Sequence, residues 1–301
     1  MDKYSILHKI KAIYQQNGNI IQHLKKMSGS PMNSTEDIMI SYDFQAGSYI
    51  AGYKSNPVSR DAFSTALAKI LDGLESYDSL LEVGVGEGTM LGITIPRLQK
   101  QPDKAYGFDI SWSRIKYAKA FIKEQDLECV RLLTGDMFQS PFKDNAIDVV
   151  YATHSIESNG GREEEALKEL YRIAAKFLVL LEPTHEFSSE EAKKRMQEHG
   201  YVKDLYSKAV ELGYDVIEHR PFEANYHELN PVSVIIIRKN NEGVSKSEKP
   251  LCCPITKSEL IQYEDCYYSP ESLLAYPILG GIPCLLPQNA IVATKYQTKL
   301  E

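Results

Sequence analysis

The chain has 301 residues, 43% of them hydrophobic and 25% charged, which fits one or two folded globular domains and excludes a low-complexity or fibrous protein. Its net charge of −7 weighs against a polyanion as the partner, so nucleic acid is not the expected substrate. No apolar run is long enough to cross a bilayer, residues 1–5 lack the apolar core of a secretion signal, and the five cysteines are an odd number, so a reducing cytoplasmic location is expected. In chain order, residues 1–27 read as one or two helices, with Ile6, Ile10 and Ile13, then Ile20, Ile21 and Leu24, at helical spacing. Asn17-Gly18-Asn19 breaks them, and Ser28 to Thr35 reads as a loop. Residues 41–53 hold four aromatics and two glycines without clean periodicity, and either cap a pocket or pack an N-terminal arm on the core.

A helix over 61–74 leads into the apolar strand Leu80-Leu81-Glu82-Val83, which ends in the loop Gly84-Val85-Gly86-Glu87-Gly88. Alternate glycines let backbone approach a ligand closely. A dinucleotide fingerprint needs its third glycine one residue later, and Glu82 and Glu87 would repel a pyrophosphate. A ligand with positive groups and no phosphate suits the loop better. Tyr106 to Ser111 reads as a second strand ending in an acid, Asp109, 21 residues after Gly88. Val130 to Met137 reads as a third strand and its loop, and Phe142 to Ala152 carries a fourth. Helices over 111–124, 163–175 and 189–212 alternate with strands at 177–183, 215–219 and 232–238. That alternation predicts an α/β, doubly wound, mostly parallel sheet.

The ordered set of loops over residues 80–155 resembles class I S-adenosylmethionine-dependent methyltransferases, beginning with the motif E-x-G-x-G-x-G. The resemblance implies a Rossmann-like seven-stranded sheet with an antiparallel last strand, and S-adenosyl-L-methionine as cofactor. By that resemblance Glu82 meets the cofactor's amino group and Gly84, Gly86 and Gly88 line its methionine and ribose. Asp109 accepts the ribose hydroxyls, Ile110 packs on the adenine, Asp136 accepts its amino hydrogen and Met137 lies beside the ring. Asp148, inside the fourth strand, is read as structural. On the acceptor side His154, Glu157 and His185 are the candidate catalytic residues, with Glu182 aimed at the same crevice. Relatives that methylate amides and bases carry N-P-P-Y where this chain has Thr153-His154-Ser155-Ile156, so that chemistry is disfavoured.

After a polar linker at 240–250 the character changes. Leu251 to Leu260 and Tyr276 to Pro287, with Tyr-Pro-Ile-Leu-Gly-Gly-Ile-Pro, resemble a small α+β Trm112-like (UPF0434-type) domain over 251–301, matched to about Ala290 with a frayed tail beyond. Some members of that family bind zinc through paired C-x-x-C. Here Thr256 follows Cys253 at the second position and Cys266 has no partner at that spacing, so no metal is expected. Cys252 reads as a small buried hydrophobe. The expected organisation is an N-terminal helical arm and substrate cap (1–60), a methyltransferase domain (61–239), the linker, and the C-terminal domain docked on it in cis. The expected function is methyl transfer to oxygen or nitrogen of a small-molecule acceptor. The alternatives are an RNA or protein methyltransferase activated by its fused domain, and an inactive methyltransferase-like interaction protein.

Overall fold

The computed structural model describes residues 3–29, 33–225, 227–240 and 248–298; most of the expected linker lies outside them. The chain opens with α1 (Leu7–Gln15), α2 (Ile20–Ser28), α3 (Thr35–Phe44) and α4 (Ser48–Ser55). Ile10, Ile20, Leu24 and Ile40 bury one another in a small core separate from the main one. The segment without periodicity is thus helical. α3 starts at a capping box in which Ser34 and Asp37 exchange side-chain and backbone bonds. Its sequence hid it because polar contacts, described below, fix its face instead of an apolar stripe.

α5 (Val58–Asp72) buries Phe63, Leu67, Ile70 and Leu71 and leads into β1 (Ser79–Val83). Then follow α6 (Thr89–Thr94), β2 (Lys104–Asp109), α7 (Trp112–Glu124), β3 (Val130–Thr134), β4 (Ile147–Thr153), α8 (Glu163–Ile173) and β5 (Ala174–Pro183). α9 (Glu190–His199), α10 (Leu205–Glu211), β6 (Asp215–Pro221) and β7 (Val232–Arg238) complete this part. Gly200, in the left-handed region, separates α9 from α10 where the sequence placed an interruption. Among the described residues seven strands form one sheet in the order β3-β2-β1-β4-β5-β7-β6. β7 runs antiparallel to β5 and β6, and the other pairs are parallel.

Successive strand residues face opposite sides, so Leu80 joins one core and Leu81 the other. Both faces are covered, which is why β1 and β4 are buried at every position. The strand order reverses between β1 and β4, and a ligand crevice opens at the carboxyl ends of strands at such a point. Asp148 is fully buried and accepts the backbone N–H of Asp78 (2.9 Å) and Ser79 (3.2 Å), tying β4 to the start of β1.

The C-terminal unit is an antiparallel sheet of β8 (Ile261–Gln262), β9 (Cys266–Ser269), β10 (Leu274–Leu279), β11 (Ile282–Pro283) and β12 (Ile291–Val292). Residues 291–298 are not a frayed tail: β12 pairs with Leu274 and Ala275, and Tyr296 stacks on Tyr268. The unit lies against β3, the edge of the large sheet. The Leu285 N–H donates to Thr134 O (3.2 Å), Cys252 N–H to Pro141 O (2.9 Å) and Trp112 Nε1 to Leu279 O (3.3 Å). Cys253, Leu260, Tyr276 and Leu285 share an apolar cluster with Phe108, Phe142 and Leu133. No helix of the described residues is long and apolar enough to cross a membrane.

Candidate active site

A cavity opens where the crevice was expected, and its floor is the turn after β1. Gly84 adopts φ +65°, and a Cβ there would lie 2.3 Å from the Cβ of Ser155, so only glycine fits between the β1 and β4 loops. Glu82, Gly84 and Gly86 line the cavity, as do Asp109, Ile110, Asp136 and Met137. Gly88 does not. It has φ +71°, begins α6, and its missing Cβ leaves room for Ala118 at 3.1 Å, so its role is packing of α6 on α7.

Glu82 is buried and accepts hydrogen bonds from Tyr151 Oη and Thr153 Oγ1, both 3.1 Å. Burial pushes its pKa up to about 8, against the pull of those two donors. A carboxyl held this way is poised to charge when a cation arrives. Asp109 accepts the N–H of Gly86 (3.0 Å) and of Ser111 (2.8 Å), which locks the loop after β1 to the end of β2. Burial raises its pKa too, opposed by the nearby Arg114 guanidinium. Asp136 is half-buried and accepts the Phe138 N–H (2.9 Å).

The roof is the N-terminal arm. Thr35, Ile38, Tyr42 and Tyr49 line the cavity from above. Glu87, the other acid of the glycine loop, turns away from the ligand space. It is fully buried and accepts the N–H groups of Gly47 (3.0 Å), Tyr49 (3.2 Å) and Ile50 (2.8 Å) at the start of α4. Asp43 of α3 accepts from Ser111 Oγ (2.8 Å), Ser113 N–H (3.1 Å) and Ser113 Oγ (2.8 Å). Arg114 is buried in the cavity wall, with its guanidinium 4.6 Å from the Tyr42 ring centre and 4.2 Å from that of Tyr49, and Nε donates to Tyr42 O (3.0 Å). The sequence carried one signal for Arg114. It is a cation in the first turn of α7, where the helix dipole disfavours one, so a special partner must hold it.

His154 and Glu157, at the carboxyl end of β4, also line the cavity. His154 has φ +52°, a left-handed backbone rare outside glycine, at the end of β4. Its Nδ1 lies 2.8 Å from Glu157 Oε2, which also accepts from Asn230 Nδ2 (3.3 Å). Burial alone would lower the His154 pKa; the hydrogen bond and charge of Glu157, with Glu182 behind, outweigh it and leave the pKa raised. Glu182 does not point into the cavity. It accepts the N–H groups of Ser155 (2.9 Å), Ile156 (3.1 Å) and Glu157 (3.1 Å), fixing the turn that carries the pair. Burial and the neighbouring Glu157 charge raise its pKa to about 7. His185 is a correction to the sequence reading. The chain turns after Pro183, leaving His185 outside the cavity with Nε2 buried and without a hydrogen-bond partner. A second cleft, between β3 and the C-terminal unit, touches Lys119, Arg131 and Tyr267 and contains none of the candidate cofactor or catalytic residues.

The strand order 3-2-1-4-5-7-6, with Glu82 and Asp109 near the carboxyl ends of β1 and β2, is that of the methyltransferase fold. Residues 81–176 match the family described as "Methyltransferase domain". Over 98 residues the chain is 34% identical to the ubiquinone/menaquinone biosynthesis C-methyltransferase UbiE of Ruegeria sp. (strain TM1040), covering 33% of this chain and 32% of that protein. Over 163 residues it is 27% identical to ajmaline N-methyltransferase of Rauvolfia serpentina, covering 52% and 55%. The chain thus spans about a third to about half of the length of these relatives. A chain from the complex of the Haloferax volcanii Trm112 methyltransferase activator with a methyltransferase shares the fold, with a TM-score of 0.51 at 16% identity over 66% of this chain and 98% of that one.

Proposed function

We propose that this chain is an S-adenosylmethionine-dependent methyltransferase acting on oxygen or nitrogen of a small-molecule acceptor. The observation that carries the reading is the convergence of Glu82, Asp109 and Asp136 on one cavity floored by Gly84 and Gly86. Glu82 would hold the cofactor's ammonium, Asp109 its ribose hydroxyls, and Asp136 with Met137 and Ile110 its adenine. The cofactor supplies an electrophilic methyl group. The protein's remaining tasks are to align the acceptor and to take its proton. His154 suits the second task, because a carboxylate on Nδ1 keeps that proton in place and leaves Nε2 to act as base. Glu157 and Asn230 orient the ring, and Glu182 positions the turn. The names of the two curated relatives include carbon and nitrogen methylation, and a base at His154 favours acceptors that must lose a proton. Free thiols at all five cysteines suit a reducing cytoplasm.

Calorimetric titration with S-adenosylmethionine and, separately, NAD tests this directly. Micromolar binding of the first alone supports the reading; NAD binding, or neither, overturns it. A second reading, a macromolecular acceptor, draws on the C-terminal unit. That unit presses on loop 134–143, which carries Asp136 and Met137, and we read it as a Trm112-like domain acting in cis at high effective concentration. On this account a chain ending at Asn240 loses solubility or cofactor affinity. Unchanged behaviour of that shortened chain removes the activator role. The reading as a non-catalytic interaction module is disfavoured by the intact acid set of the cavity.

A further inference from the structure

Two turns of the C-terminal unit repeat each other residue by residue. The first is Cys253-Pro254-Ile255-Thr256-Lys257 and the second Ser269-Pro270-Glu271-Ser272-Leu273. In each, the N–H of the fourth residue reaches the side chain of the first: Thr256 to Cys253 Sγ (3.5 Å) and Ser272 to Ser269 Oγ (3.3 Å). In each, the N–H of the fifth residue donates to the carbonyl of the first at 2.8 Å. In each, that fifth residue is left-handed, with φ +59° at Lys257 and +57° at Leu273, although neither is glycine. A turn that aims side chains one and four at a common point while pointing N–H groups at the first is the geometry of a C-x-x-C metal knuckle, and two facing knuckles make a tetrahedral site.

The side chains at those four places meet. Ser272 Oγ lies 3.7 Å from Cys253 Sγ, close to the roughly 3.8 Å between sulfurs that a tetrahedral Zn–S length of about 2.3 Å implies. Thr256 Oγ1 and Ser269 Oγ are joined through Ser258 Oγ at 2.7 and 2.6 Å, and Tyr276 Oη closes on Cys253 Sγ at 3.3 Å. Zinc, which some relatives of this domain type hold, does not fit here: one thiol and three hydroxyls are not its donor set. Cys266, the second thiol the sequence offered, is turned to Tyr296 Oη (3.0 Å) and stands apart.

We propose that these turns are a paired metal knuckle in which a closed thiol–hydroxyl hydrogen-bond cluster does the work of the ion. The cluster matters beyond its own unit. The first turn carries Lys257, whose Nζ donates to Ser140 O (2.9 Å) and pairs with Glu169 (3.0 Å) on the large domain. The unit therefore keeps its docking face rigid without any metal supply.

The test uses the full-length protein. The wild type should contain no stoichiometric zinc, take up no cobalt, and keep its Tm in excess chelator. The variant Thr256→Cys/Ser269→Cys/Ser272→Cys should bind one cobalt ion with the spectrum of a tetrahedral thiolate site, whether it folds alone or only with metal. Ser269→Ala should lower the Tm by several degrees, because the buried Ser258 hydroxyl loses one of its two hydroxyl partners and the Ser272 N–H loses its acceptor. Stoichiometric zinc in the wild type, a chelator-sensitive Tm, or a folded triple variant that binds no metal would each overturn the proposal.

Discussion

The floor and the roof of the cavity are built from different forces. β1 and β4, which carry the floor, are buried at every position and paired on both edges within the sheet. No residue of the roof, α3 and α4, belongs to either of the two large cores, and it is held by Asp43, Glu87 and Arg114 through hydrogen bonds and ring stacking. Burial of apolar area is non-directional and continuous along a strand, whereas a few polar anchors can release together. On this reading the floor stays fixed, and the roof should be the element that lifts for a ligand and closes over it.

The sharpest way to separate the two is Glu87→Ala. Three part-buried N–H groups lose their carboxylate acceptor, at about 1–3 kcal/mol each at most and less than additively. Hydrogen exchange should accelerate at residues 47–56 and stay slow in β1 and β4; equal loosening of both would erase the distinction. Next comes Gly84→Ala, which places a methyl group against Ser155 in a left-handed backbone, at a cost of about 3 kcal/mol. This damage belongs to the floor, so thermal unfolding of the whole large domain should shift.

Asp109→Ala should weaken S-adenosylmethionine binding by at least tenfold, about 1.4 kcal/mol, measured by calorimetry. Unchanged affinity would mean that the ribose is held elsewhere. The smallest effect is one of pH. On the proposed reading Glu82, whose pKa burial raises to about 8, ionises to hold the cofactor's ammonium, so affinity should rise with pH and level off above about 8. Between pH 7 and pH 8 the gain should be about fivefold, and Glu82→Gln should flatten it. The same raised pKa means that folding stability from this group is full below the ordinary carboxylate range and declines as pH climbs toward 8.

The floor was legible in the sequence because it is written in local signals: apolar runs, alternate glycines and acids at strand ends. Glu82, Asp109, Asp136 and their neighbours were placed in one crevice from spacing and resemblance, and they line one cavity. The roof was not legible, since α3 and α4 carry no apolar stripe and their partners lie 37 to 70 residues away in Glu87, Ser111 and Ser113. Glu87 flanks the glycine loop in sequence as Glu82 does, yet the turn sends it to the arm. His185 failed for a related reason: proximity to the end of β5 does not fix direction once the chain turns after Pro183. In the C-terminal unit the cysteines drew attention to Cys266, while the second turn begins at Ser269 and shows itself only through backbone geometry.

Hydrogen exchange with and without S-adenosylhomocysteine tests the account most directly. It predicts protection at residues 84–88, 109–114, 135–138 and 153–157 and, with the largest change, at the roof over 35–50. Protection confined to the cleft beside the C-terminal unit, or none at saturating ligand, would contradict it.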